Sequence, residues 1–167
     1  MELSEYVLKQ IHGIILYGID RENAGVYRKL PVAIAGSKHL PSQPYLLQDL
    51  MEDYFRFYEV HKNNLHPVIL AAEMHERLVS IYPFIDGNGR TSRLIMNLIL
   101  LQYGFPLAII GGDYESRMAY YDALEKIQIE DDKQSFILLI AEKVLSGLDR
   151  YINILNPKKN TEWAIAE

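Results

Sequence analysis

Tyr82-Pro83-Phe84-Ile85-Asp86-Gly87-Asn88-Gly89-Arg90-Thr91-Ser92-Arg93 is the stretch on which the reading of this chain turns. It closes one helix and opens another, because Pro83 pushes the residue before it out of helical backbone and an apolar helical run follows the glycines. A helix N-terminus exposes unpaired N–H groups and about half a positive charge, so it attracts phosphate. Gly87 and Gly89 let the backbone approach an anion. Arg90 and Arg93, three apart, share a helical face and can grip phosphate oxygens. Asp86 offers a hard oxygen to Mg2+, an ion held by few carboxylates plus the phosphates themselves. The plainer alternative is a glycine-rich helix entry with solvated arginines and Asp86 as a cap. Five chemically matched positions at the start of one apolar helix favour a site for a metal-bound polyphosphate.

Outward from this segment, the bulk numbers bound the answer. The 167 residues fit one domain, with 49% apolar and 23% charged residues. A net charge of −5 argues against a nucleic-acid surface, so any anion site is local. No apolar run reaches the roughly 18 residues of a membrane span, and the N-terminus lacks the pattern of a signal peptide. The chain has no cysteine, which excludes disulfides, thiolate catalysis and zinc–thiolate sites. A cytoplasmic location is expected, a fragment of a delivered effector being the alternative.

The pattern predicts an all-α domain over 1–155 and a polar tail over 156–167, in which Trp163-Ala164-Ile165 either docks or stays loose. Helices are expected near 3–17, 45–60, 66–81, 89–103, 114–129 and 134–155. The helix at 89–103 is apolar on nearly every side beyond Arg93 and is expected to be the central buried one. Residues 18–44 are rich in Gly, Pro and Ser. Within them the alternation Val32-Ala33-Ile34-Ala35 before Gly36-Ser37 predicts a small β-hairpin, the only sheet.

The central segment resembles the signature of the Fic (Fido) family, which runs His-Pro-Phe-x-(Asp/Glu)-Gly-Asn-Gly-Arg-x-x-Arg. Every fixed position is matched except the first, occupied here by Tyr82. The likeness extends over about 1–145: Ala24-Gly25-Val26-Tyr27-Arg28, the flap-like Gly36-Ser37-Lys38-His39-Leu40-Pro41, His66-Pro67, Asn97 and the pair Tyr120-Tyr121. The resemblance implies a helical bundle with a β-hairpin flap at about 30–42 that transfers AMP from ATP to a Ser, Thr or Tyr hydroxyl of a target protein. In that scheme Asp86 holds Mg2+, and Gly87, Gly89, Arg90, Thr91 and Ser92 line the phosphates. Asn88 bonds the transferred phosphate and Arg93 adds charge stabilisation. Tyr120, Tyr121 and Gln128 face the base, while Ile34, Gly36, Ser37, Lys38 and His39 clamp the target. The second glycine matters, because Doc-type relatives carry Lys there and transfer a phosphate instead.

Two departures stand out. The family histidine is a general base, and an imidazole with pKa about 6.5 is largely free base at pH 7, whereas a phenol near 10 is about 0.1% ionised. Tyr82 is therefore expected to spare nucleotide binding and slow transfer. A catalytically inactive nucleotide- or protein-binding module of the same fold is the competing reading. Many relatives also carry an inhibitory (Ser/Thr)-x-x-x-Glu-(Gly/Asn) helix. Its motif is absent from this sequence, so truncation, an inhibitory partner chain or no inhibition are all compatible, as is a homodimer. Among smaller candidates, His75 is expected to be a hydrogen-bonded core histidine and His39 a solvated loop residue. Glu130-Asp131-Asp132 reads as a turn, and His12 and His61 give no signal.

Overall fold

Four of the six α-helices among the described residues begin at a side-chain cap, those starting at Leu47 and Asn88 being the exceptions. In a computed structural model of the chain, which describes residues 2–156, α1 (Glu5–Leu16) starts at Ser4, whose Oγ accepts the Val7 N–H at 3.3 Å. A 3-10 turn at Pro44–Leu46 leads into α2 (Leu47–His61). Pro67 occupies the first position of α3 (Pro67–Ile81), where its missing N–H has no bond to lose. α4 (Asn88–Gln102) follows the motif loop, and Asp113 and Asp132 cap α5 (Tyr114–Glu130) and α6 (Lys133–Leu155). The Glu130-Asp131-Asp132 turn thus ends one helix, with Asp131 left-handed at φ 55°, and starts the next. No helix among the described residues is long and apolar enough to cross a membrane.

The core gathers Leu8 of α1, Met51 and Tyr54 of α2, Leu70, Met74 and Leu78 of α3, Ile95 and Met96 of α4, and Phe136 and Ile140 of α6. The helix expected at the buried centre, α4, shares that place with α3. Nine residues of α3 are buried against seven of α4, and Leu94 and Leu101 leave one edge of α4 in solvent. The centre is the antiparallel pair α3–α4, joined by the motif loop, which holds that loop between two packed helices.

The predicted β-hairpin is also corrected: the described residues contain no strand. Residues 31–40 run outside helix and strand on either side of a turn, closed by the Ser37 N–H donating to the Ile34 carbonyl at 3.1 Å with Gly36 at φ 78°. Pro31 and Pro41 flank the segment and carry no N–H, so the ends of a ladder have no donors to exchange. Side chains anchor the flap instead. The Trp163-Ala164-Ile165 segment lies outside the described residues.

Candidate functional site

The motif loop is shaped by bonds that leave it little freedom. Tyr82 caps α3 in the left-handed region (φ 53°, ψ 59°), its N–H donating to the Leu78 carbonyl at 3.0 Å. Its own carbonyl accepts from Arg28 Nε at 2.7 Å. Phe84 is fully buried and stacks on His12 with ring centroids 3.6 Å apart and planes 5° from parallel. Asn88 closes the loop reciprocally, Oδ1 accepting the Phe84 N–H at 3.0 Å and Nδ2 donating to the Phe84 carbonyl at 2.9 Å.

His12 fixes the other side. Its Nδ1 accepts the Gly25 N–H at 2.8 Å, so the ring proton sits on Nε2 and is donated to the Asp86 carbonyl at 2.9 Å. Only the neutral imidazole satisfies both, and burial lowers the pKa of His12 accordingly. Gly87 turns beneath this ring at φ 80°, where an added Cβ would stand 3.2 Å from His12 Nε2. Gly87→Ala is expected to lower the unfolding free energy by about 1–3 kcal/mol, a sum of left-handed strain and this contact, read by urea denaturation. Gly89 is under neither constraint: a Cβ there would meet only Arg93 Nη2 at 3.9 Å. Its missing side chain leaves the tip of α4 uncovered.

Asp86 and Arg90 already face each other. Arg90 Nη2 donates to Asp86 Oδ2 at 2.8 Å, while Asp86 Oδ1 accepts the Gly87 N–H at 2.6 Å. The pair is solvent-exposed, with 58% of the Asp86 side chain accessible, so opening it costs at most about 1 kcal/mol. Arg93 Nε donates to the Gly89 carbonyl at 3.0 Å, and Arg93 makes no ion pair among the described residues. Thr91 and Ser92, expected to line phosphates, are buried, and their hydroxyls donate back to the Gly87 and Asn88 carbonyls. Asn88, expected to touch the transferred phosphate, has both polar ends of its carboxamide in the loop, with one Nδ2 proton left over. The metal expectation fits the donor set. No group of three or more His, Cys, Asp or Glu residues that could cage an ion exists among the described residues. One exposed carboxylate at the loop suits a Mg2+ that arrives on a nucleotide, not an ion held by protein alone.

The aromatic pair divides. Tyr120 is buried beneath Arg93, whose guanidinium carbon lies 5.8 Å from its ring centre, and Tyr121 stands half exposed beside it. Tyr120 Oη and His75 Nε2 lie 3.3 Å apart, so His75 is a core histidine, its pKa pushed down to about 3 by burial. His39, expected in solvent, is half buried with Nε2 bonded to the Ser80 carbonyl at 2.8 Å. Lys38 reaches α5 through Glu125 at 2.7 Å. Gln128 meets Ser80, its Nε2 donating to Oγ at 3.1 Å. His39, Glu76, Ser80, Ile81 and Gln128 line one side of an open cavity of about 430 Å³ between the flap and helices α2, α3 and α5, within the range of small-ligand sites. The motif loop does not line it.

Sequence reasoning gave two of the loop's anchoring residues no role. His12 gave no signal because its partners, Gly25 and Asp86, are remote in sequence. Arg28 is only 3% exposed, and beyond Tyr82 it donates to the carbonyls of Leu30 at 3.1 Å and Ser42 at 2.5 Å. It therefore ties both ends of the flap to the motif turn. Its place between an apolar run and the flap was the available hint.

Fold and loop together define a class: a helical domain in which a helix–loop–helix core carries an arginine-backed anion loop beside a flap. The chain belongs to the Fic/DOC family, whose profile matches residues 2–100. It is 38% identical over 153 residues to the protein adenylyltransferase Fic of Drosophila ananassae, covering 91% of this chain and 30% of that protein. It is 39% identical over 144 residues to the protein of the same name from Drosophila melanogaster, covering 86% of this chain and 28% of that one. The chain thus spans under a third of the length of these relatives. Among solved structures, Fic-1 (residues 134–508) from C. elegans superposes with a TM-score of 0.83 at 29% identity, covering 94% of this chain and 45% of that chain.

Proposed function

We propose that this domain binds Mg-ATP at the motif loop and transfers AMP to a Ser, Thr or Tyr hydroxyl of a target protein, slowly because Tyr82 stands at the base position. The observation that carries the reading is the loop itself: a positive-φ glycine, a first turn of α4 that no side chain caps, and Arg90 and Arg93 three apart on that helix. The named activity of the Drosophila relatives supports it. Bound Mg2+ would sit on Asp86 and neutralise phosphate charge. Arg90, released from Asp86, would turn to the phosphates, and Arg93 would add positive charge where the transition state gathers negative charge. The target hydroxyl oxygen forms a bond to the α-phosphorus as the bond to the bridging oxygen breaks. Pyrophosphate leaves with that electron pair, and the hydroxyl proton passes to a base. Residues 32–34, outside any helix and without a ladder partner, suit main-chain pairing with the target. The free guanidinium of Arg93 would equally receive a carboxylate from an inhibitory partner chain.

The direct test is calorimetric titration of Mg-ATP. The wild type is expected to bind, and Asp86→Ala and Arg90→Ala to weaken binding by about tenfold or more, one charge-assisted contact each. Equal affinity in all three proteins would discard the site. A second reading, nucleotide binding without transfer, is favoured by Tyr82 alone. It predicts the same titrations and no label transfer from α-labelled ATP.

A further inference from the structure

Three hydroxyls stand in the motif stretch, and the fold leaves one of them free. Thr91 and Ser92 are buried and donate to the Gly87 and Asn88 carbonyls. Tyr82 is half-buried; its hydroxyl has no hydrogen-bond partner among the described residues and is not sealed in the core, unlike those of Tyr27 and Tyr54. The residue is also held where it is. A bulky aromatic rarely adopts left-handed backbone, yet the Leu78 carbonyl and Arg28 fix the main chain of Tyr82 at φ 53°. Two residues on, Phe84 is pinned by both of its main-chain groups to Asn88, the first residue of α4. The Tyr82 Cα therefore lies within about 7 Å of the Phe84 Cα, which puts the tip of α4 in reach of the phenol.

We propose that Tyr82 is itself an acceptor of AMP: the chain modifies its own phenol once and thereby closes its own nucleotide site. This rests on the reading that Mg-ATP binds at the motif loop with position 82 beside the reacting phosphate. A phenol carries its oxygen further from Cα than an imidazole carries its far nitrogen, by much of the roughly 3 Å that separates a base from the hydroxyl it serves. Tyrosine at a base position thus sets its own oxygen where the target's hydroxyl oxygen would stand. The tether makes the encounter intramolecular, which offsets the weak nucleophilicity of a neutral phenol. In the step, Tyr82 Oη bonds to the α-phosphorus as the bond from that phosphorus to the bridging oxygen breaks. Pyrophosphate leaves with the electron pair, and the phenolic proton passes to water. The product is a tyrosyl–AMP phosphodiester whose adenylyl group stays in the site it came from, so no second turnover follows.

Intact mass and peptide mapping after incubation with Mg-ATP read the product directly. Wild type is expected to gain one AMP per chain, on the peptide that holds Tyr82, at a first-order rate that about tenfold dilution of the protein leaves unchanged. Tyr82→Phe, which keeps the ring and removes the hydroxyl, is expected to bind ATP by calorimetry and to lose at least about nine-tenths of the label. Fully modified wild type is expected to bind ATP at least about tenfold more weakly than the unmodified chain. A wild type that binds ATP and gains no AMP overturns the proposal and leaves the nucleotide site standing. So does label that maps elsewhere and persists in Tyr82→Phe. A rate that falls on dilution also overturns it, because the acceptor would then be presented by another copy. Failure of wild type to bind ATP at all removes the underlying site, and the proposal falls with it.

Discussion

Replacing Tyr82 with histidine is expected to raise AMP transfer by about 10²–10⁴-fold, the usual worth of a positioned general base. The backbone at this position is fixed independently of the side chain. Its N–H is held by the Leu78 carbonyl and its carbonyl by Arg28, so an imidazole inherits the direction of the phenol. Histidine also tolerates left-handed backbone better than most residues, so φ 53° is no obstacle to folding. Nucleotide affinity should move little, because the phosphates are assigned to the tip of α4 and its arginines. Transfer of label from α-labelled ATP to target or to the chain itself measures the gain. Equal rates in the two proteins would show that position 82 does not limit transfer.

Arg28→Ala is expected to destabilise the domain by about 3–5 kcal/mol, which for a chain of this size lowers the melting temperature by roughly 10 °C. The guanidinium donates to three carbonyls, from Tyr82, Leu30 and Ser42, and a bond from a charged donor contributes about 1.5–3 kcal/mol. Water entering the vacated space recovers part of the loss, which keeps the total below the sum. Lysine at this position keeps the charge but loses the planar fork, so Arg28→Lys should fall between wild type and alanine. Denaturation of the three proteins decides; an alanine variant within about 0.5 kcal/mol of wild type would mean the flap is anchored elsewhere.

The helices were legible because their signals are local. Pro67 at a helix start, Asp113 and Asp132 as caps and Gly104 after α4 each act within a turn of chain. The motif was legible for the same reason, since Asp86, Gly87, Gly89, Arg90 and Arg93 keep their chemistry close together. The flap misled because Val32-Ala33-Ile34-Ala35 alternates as a strand does, while the partner a ladder requires is missing. Thr91, Ser92 and Asn88 were assigned to phosphate by position, yet buried hydroxyls and amides bond whatever backbone lies nearest. His39 and Gln128 converge on Ser80 across gaps that no sequence window spans.

His12 stands long before Asp86 in the chain, and Gly25 only a little nearer. During synthesis the ring that will clamp the loop leaves the ribosome first and waits for its second partner. A synthetic peptide carrying only the Tyr82–Arg93 motif would lack that clamp and the Phe84 stack beneath it. Its glycines would then let it wander, so the anion cradle comes into being only when the domain closes on itself.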